Sequence, residues 1–233
     1  MQEITQSAFV LHTRPYRENQ LLVDLLTEHD GKLAALSYIG HSAKSSRKAL
    51  LQPFLPISIT LKGQSSLKNL LRVEPIGKSY LLKQNALFSA FYINELLVKL
   101  LGDNIACGDL FQQYQTSLQT LAQTSNIEVC LREFELTLME ELGVSFDFSL
   151  VFEQSAQGFY YLPDEGFIPA YTALKQTCYN REHLIAIAQN DLSSPEILST
   201  FKALMRQVIN HLLNGVPLNS RKLFSKKITN LNM

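Results

Sequence analysis

The stretch QLLVDLLTEHDGKLAALSYI, residues 20–39, decides the fold. Two apolar runs, 20–27 and 32–39, flank His29-Asp30-Gly31. Asp-Gly between apolar runs is a hairpin signal, because glycine supplies the positive φ that a tight turn needs. Upstream, 8–12 is a short apolar run, joined to the hairpin through a turn-like Arg14-Pro15-Tyr16-Arg17. Downstream, residues 40–48 (GHSAKSSRK) are small, polar and basic, which predicts a surface loop. Residues 55–61 (LPISITL) alternate, Gly63-Gln64-Ser65-Ser66 reads as a turn, and 67–73 returns as a strand. About five short antiparallel strands with one long basic loop suit a small closed barrel of the OB-fold kind.

After Pro75-Ile76-Gly77 the period changes. Residues 84–101 are apolar on nearly all sides, as in a central helix. A second helix is predicted over 109–122, with a glutamine-rich outer face. Ile127, Leu131, Phe134, Leu138 and Leu142 mark a third, over 127–142, and Gly143 stops it. Residues 144–171 alternate aromatic and polar side chains and carry turn signals at Gln157-Gly158 and Pro163-Asp164-Glu165-Gly166, which predicts a β-hairpin insertion. Helices resume over 181–189 and 195–213, the latter with Ser194 as N-cap, Pro195 at its first position and Gly215 past its end. A short basic helix is predicted over 220–228. The fold class is therefore α+β: an N-terminal barrel domain over 1–80, then a helical domain over 81–233 with a β insertion at 144–171.

The 233 residues are 46% hydrophobic and 18% charged, enough for a sizeable core and too apolar for a disordered chain. Basic and acidic side chains number 21 each. A neutral total argues against a nucleic-acid partner, but the charges are segregated. Residues 1–83 are net +5, residues 84–216 net −9 and residues 217–233 net +4. Such asymmetry points to different partners for different segments. The start of the chain shows no secretory signal, and the most apolar stretch, 85–101, is broken by Asn94, Glu95 and Lys99, so a cytoplasmic protein with reduced cysteines is expected.

Motifs for catalysis fail on spacing. Gly77-Lys78-Ser79 imitates a P-loop, but the position that needs the first glycine is Arg72. The five histidines are scattered, no Cys-x-x-Cys arm exists, and Glu140-Glu141 point about 100° apart on a helix. Neither an enzyme, nor a cofactor, nor a metal site is expected.

What remains is electrostatic. Lys44, Arg47 and Lys48 sit in the serine-rich loop, Arg14 and Arg17 flank Tyr16, and Lys68 and Arg72 come from the last strand. Cations that follow a phosphate backbone, with rings available to stack on bases, are how OB-folds hold single strands. Arg132 stands between Glu128 and Glu135 in an acidic helix. It reads either as an i,i+4 pair with Glu128 or as a carboxylate receptor beside an apolar groove, since a guanidinium presents two parallel donors.

Four runs carry a resemblance: AFVLHTRPYRENQLLVDLLT (8–27), ALLQPFLP (49–56), LREFELTLMEELG (131–143) and LLNGVPLNSRKLF (212–224). In order and over nearly the whole chain, they resemble RecO, the family of bacterial recombination mediators. The resemblance implies an N-terminal OB-fold, a helical body and a small insertion. It implies binding of single- and double-stranded DNA, annealing of complementary strands, and partnership with RecR. It also implies docking of the acidic C-terminal tail of single-stranded DNA-binding protein (SSB), for which Arg132 and Arg206 are the candidates, and through these the loading of RecA. Such a protein is cytoplasmic and nucleoid-associated. Many members carry a four-cysteine zinc site in the insertion. Here 144–171 contains no cysteine and only Cys178 lies just after it, so a zinc-less counterpart packed on aromatic rings is expected. The family often has arginines immediately after the loop glycine, whereas here the cations are shifted to Lys44, Arg47 and Lys48. The rival reading is a protein–protein adaptor of the repair machinery that never touches DNA.

Overall fold

The computed structural model describes residues 3–39, 46–63, 65–123 and 126–225. Five strands close a barrel in the order β1-β2-β3-β5-β4: β1 (Glu3–Arg17), β2 (Gln20–Thr27), β3 (Gly31–Tyr38), β4 (Ile57–Lys62) and β5 (Leu67–Pro75). A short helix, α1 (Ser46–Leu50), lies between β3 and β4. The alternation in the sequence fills the interior. Val10, Val23, Leu25, Leu33, Ala35, Ile57 and Ile59 are all buried in one cluster.

The structure corrects two readings of this region. Arg14-Pro15-Tyr16-Arg17 is the end of β1 rather than a turn, and the chain reverses at Glu18-Asn19. Pro15 is accommodated because the β1–β2 register shifts between Pro15 and Arg17, where a bulge relaxes the demand for a ladder donor. The pairing is also not wholly antiparallel. β3 and β5 run parallel, and only Ala34–Leu36 and Leu67–Asn69 pair. An odd number of strands cannot close with antiparallel neighbours alone, so one seam must be parallel.

The helices are α2 (Gln84–Leu100), α3 (Gly108–Gln123), α4 (Ile127–Glu141), α5 (Ser149–Glu153), α6 (Arg181–Ala188), α7 (Pro195–Leu212) and α8 (Arg221–Ser225). A three-stranded sheet, ordered β7-β6-β8, is built from β6 (Gly158–Leu162), β7 (Gly166–Pro169) and β8 (Tyr179–Asn180). The predicted hairpin is present, but Ser149–Glu153 is helical and the sheet gains a third strand beyond residue 171. The last predicted helix is described only as far as Ser225. No helix among the described residues is long and apolar enough to cross a membrane.

The chain forms two compact units, Met1–Ile127 with Leu218–Met233, and Glu128–Pro217. In the first, α2 and α3 cover one outer face of the barrel. Phe9 is buried against the rings of Phe111 and Tyr114, at 5.7 and 5.1 Å between centroids. The Asn94 amide donates to the Leu11 carbonyl at 3.0 Å and its oxygen accepts from the Tyr114 hydroxyl at 2.7 Å. The polar residue that interrupts the apolar helix is thus the one that ties the helix to β1. Glu95 takes the other end of the chain. Its carboxylate accepts from the Asn219 and Ser220 amides and the Ser220 hydroxyl, at 2.7–2.9 Å.

In the second unit, Ser194 caps α7 and Pro195 occupies its first turn. The insertion packs Phe146, Phe148, Tyr161 and Phe167 against one another, with centroids 5.0–6.1 Å apart. Rings fill the space there, and no group of three or more His, Cys, Asp or Glu among the described residues could hold a metal ion.

Candidate nucleic-acid interface

Strand register places two of the sequence-nominated cations, Arg14 and Arg17, at one end of the β1–β2–β3 sheet. Arg17 pairs with Gln20, and Gln20 pairs with Tyr38, so the three form a row across β1, β2 and β3. Partners in register point to the same face of a sheet. The next outward row is Arg14, Leu22 and Leu36. Pro15, Leu21 and Ser37, the row between, face inward, and Leu21 and Ser37 are buried.

The parallel seam brings Arg47 to the same end. Beyond Leu36 and Asn69 the β3–β5 ladder stops. The Arg47 guanidinium fills the opening: Nε donates to Ser37 Oγ at 3.0 Å, and Nη2 donates to the Leu70 and Leu71 carbonyls at 2.5 and 3.0 Å. A planar fork of donors substitutes for ladder bonds that the diverging strands cannot make. Its acceptors are neutral, so the charge of Arg47 is anchored without being cancelled. Partial burial lowers the guanidinium below its ordinary pKa.

The remaining positions differ in what holds them. Arg14 donates to Asp24 at 3.1 Å, which spends much of its charge. His12 Nδ1 lies 3.7 Å from the same carboxylate. The Arg17 guanidinium sits 5.3 Å from the centre of the Tyr16 ring, within cation–π range. Lys48 and Arg72 are exposed and make no ion pair among the described residues. Lys68 stands apart: it lies beside Ala35 in mid-barrel and donates to the Gly63 carbonyl at 3.3 Å. Lys44 lies outside the described residues. Sequence reasoning missed Tyr38, which looked like one more strand residue. Only the register puts it beside Gln20, with Arg17 on the next strand over.

A closed barrel that carries cations serves many families as a ligand face, and sequence comparison narrows the choice. The family model for Recombination protein O N terminal matches residues 1–78, and that for Recombination protein O C terminal matches residues 83–222. The chain belongs to the RecO family. It is 37% identical over 233 residues to the DNA repair protein RecO of Haemophilus influenzae, covering 98% of both chains. Against the protein of that name from Actinobacillus succinogenes it is 36% identical over 97% of each chain. With that from Stutzerimonas stutzeri the figure is 40%, over 94% of this chain and 92% of the other. Membership makes it a DNA repair and recombination protein with an N-terminal OB-fold, in a family of mediators and not of enzymes.

In the second unit of this RecO chain, Arg132 does not make the i,i+4 ion pair with Glu128. Its i,i+4 neighbour Glu128 binds Lys202 instead, at 2.7 Å. Arg132 turns to Glu135, one helical turn on, at 2.6 Å. It is 6% exposed and Glu135 is 0% exposed. The Arg132 Nε is buried with no hydrogen-bond partner. Arg206 is exposed on α7 and makes no ion pair among the described residues.

Proposed function

We propose that this RecO protein binds single- and double-stranded DNA through the barrel, anneals complementary strands, and with RecR loads RecA on SSB-coated DNA. What supports the reading is the set of cations on and beside the closed barrel: Arg14 and Arg17 at the end of β1, Arg47 bonded across the β3–β5 opening, and the exposed Lys48 and Arg72. Only Arg14 among the described members is paired with a carboxylate. Uncompensated cations release counterions from phosphates and lower the repulsion between two strands that must pair. Lys68 adds charge farther along the same barrel.

The acidic SSB tail is assigned to the second unit, to Arg206 and Arg132. Arg206 is open to an incoming carboxylate. Arg132 already holds Glu135 and is 6% exposed, so a tail carboxylate reaches it by opening the Glu135 pair. Holding SSB-coated strands in this way raises the local concentration of the barrel on DNA. The working place of such a protein is the cytoplasm, at the nucleoid.

The test is annealing of complementary SSB-coated strands with and without the protein, at two salt concentrations. Acceleration that weakens at high salt is expected. No acceleration at either concentration overturns the reading. Lys48→Ala with Arg72→Ala flattens the salt slope of binding by about one unit per lost phosphate contact.

A further inference from the structure

We propose that Tyr16 and Tyr38 are the two ends of a base-stacking platform on the barrel, so that it holds a single strand by its bases as well as by its phosphates. The inference rests on the reading that the barrel binds DNA, and it adds how.

Single exposed aromatic residues are ordinary on a protein surface. These two differ in their placement. Tyr16 is 44% exposed and Tyr38 is 55% exposed. Neither hydroxyl makes a hydrogen bond among the described residues, and apart from the Arg17 contact neither ring has a cation or ring partner there. They stand on the same end of the sheet, with Gln20 on the strand between. Two strand spacings separate β1 from β3, about 10 Å.

The surroundings select the ligand. Arg17 lies over the Tyr16 ring, which is 44% exposed, and a ring so polarised stacks well on a nucleobase. Beside Tyr38, Ser37 anchors Arg47, whose charge meets no carboxylate. Leu22 and Leu36, half-buried, form the neighbouring outward row with Arg14. A protein partner rich in acidic side chains would suit the cations but would leave the two exposed rings unused. A duplex offers phosphates but keeps its bases stacked within. A single strand supplies both charge and free ring faces.

Three probes separate the possibilities: a thymidine strand, an abasic strand of the same length, and a duplex. Fluorescence anisotropy of the full chain on each gives the affinities. Removing a ring, as in Tyr16→Ser or Tyr38→Ser, is expected to cost on the order of 10-fold on the thymidine strand. Binding to the abasic strand and the duplex stays unchanged, as does the salt slope. Tyr16→Phe and Tyr38→Phe retain wild-type affinity, because the ring and not the hydroxyl does the stacking. Equal loss on thymidine and abasic strands, or no loss on thymidine, overturns the platform and leaves the phosphate-binding reading standing. Failure of the wild-type chain to bind any of the three overturns both. Unchanged thermal unfolding of the serine variants excludes a folding defect.

Discussion

Replacing Gly31 by alanine should damage the first unit far more than any other glycine change in the chain's positive-φ turns. Gly31 ends the β2–β3 turn at φ +65°, and an added Cβ would lie 1.8 Å from the Ile105 carbonyl oxygen and 3.3 Å from Cys107 Sγ. The left-handed backbone costs alanine about 1–2 kcal/mol. Relieving the clash must move the α2–α3 connection, which holds the hairpin by several bonds. Asn104 N donates to the Lys32 carbonyl at 2.7 Å, and Lys32 Nζ reaches the Val98 carbonyl at 3.0 Å and Asp103 at 3.1 Å. Losing one such backbone bond costs about 1 kcal/mol, and the half-exposed ion pair adds about 0.5 kcal/mol. The sum is about 3 kcal/mol, or a fall in melting temperature of roughly 6–12 °C for a unit of this size. Gly143→Ala and Gly215→Ala are the controls. They share the positive φ, at +69° and +76°, but nothing lies within 4 Å of the added carbon, so each should cost only the backbone penalty. The chain has no tryptophan, so the melts are followed by far-ultraviolet circular dichroism. If Gly31→Ala melts with the two controls, the hairpin is not clamped by Ile105 and the reasoning fails.

Other outcomes can be stated from the same geometry. Burial opposes ionisation of Glu95, but the Ser220 and Asn219 amides, the Ser220 hydroxyl and Lys99 outweigh it and hold the carboxyl below its ordinary value. A depressed folded pKa stabilises above the unfolded value and is lost as pH falls through the folded one. The Ser220 amide resonance should therefore titrate with a midpoint below 4.5 and cease to titrate in Glu95→Gln; a midpoint above 4.5 sinks the clamp. Arg132→Met alone should cost about 3–5 kcal/mol in urea unfolding, whereas adding Glu135→Leu should restore most of it, because Glu135 would otherwise stay buried without its arginine. Arg47→Lys should keep the salt dependence of strand binding yet lower the barrel's melting temperature, since an ammonium cannot span Ser37, Leu70 and Leu71 at once. Tyr114→Phe strands the buried Asn94 oxygen and should cost about 1–3 kcal/mol.

Much of the fold was legible because period and turn chemistry agreed locally. β2 was read with its observed ends, and α2, α3, α4 and α7 came within a residue or two. Two kinds of information were not local. The parallel β3–β5 seam follows from closing an odd-stranded barrel, which no window of sequence displays. Pro15 looked like a turn residue because a proline in a strand needs a bulge, and the bulge is visible only once β2 is laid beside it. The site divides in the same way. Cationic residues could be nominated by type, but whether an arginine meets a carboxylate, a carbonyl or solvent depends on what folds against it. Arg14, Arg47 and Arg17 represent those three cases in turn, with the last resting on a ring. Arg132 chose Glu135 over Glu128 because Lys202, distant in sequence, claims Glu128.

The contact of Glu95 with Asn219 and Ser220 also has a temporal meaning. The first unit is interrupted in the chain by Glu128–Pro217 and finished only by residues near the end. During synthesis the barrel, α2 and α3 emerge early. The ribosome adds about 5–20 residues per second, so the intervening segment delays the final strap on the order of ten seconds. Until then Glu95 lacks its three donors and Phe88 lacks the Phe224 ring that later lies 5.6 Å away. A chain cut short before Leu218 would carry this exposed seam permanently, and quality-control proteases could distinguish it from the finished protein by that seam alone.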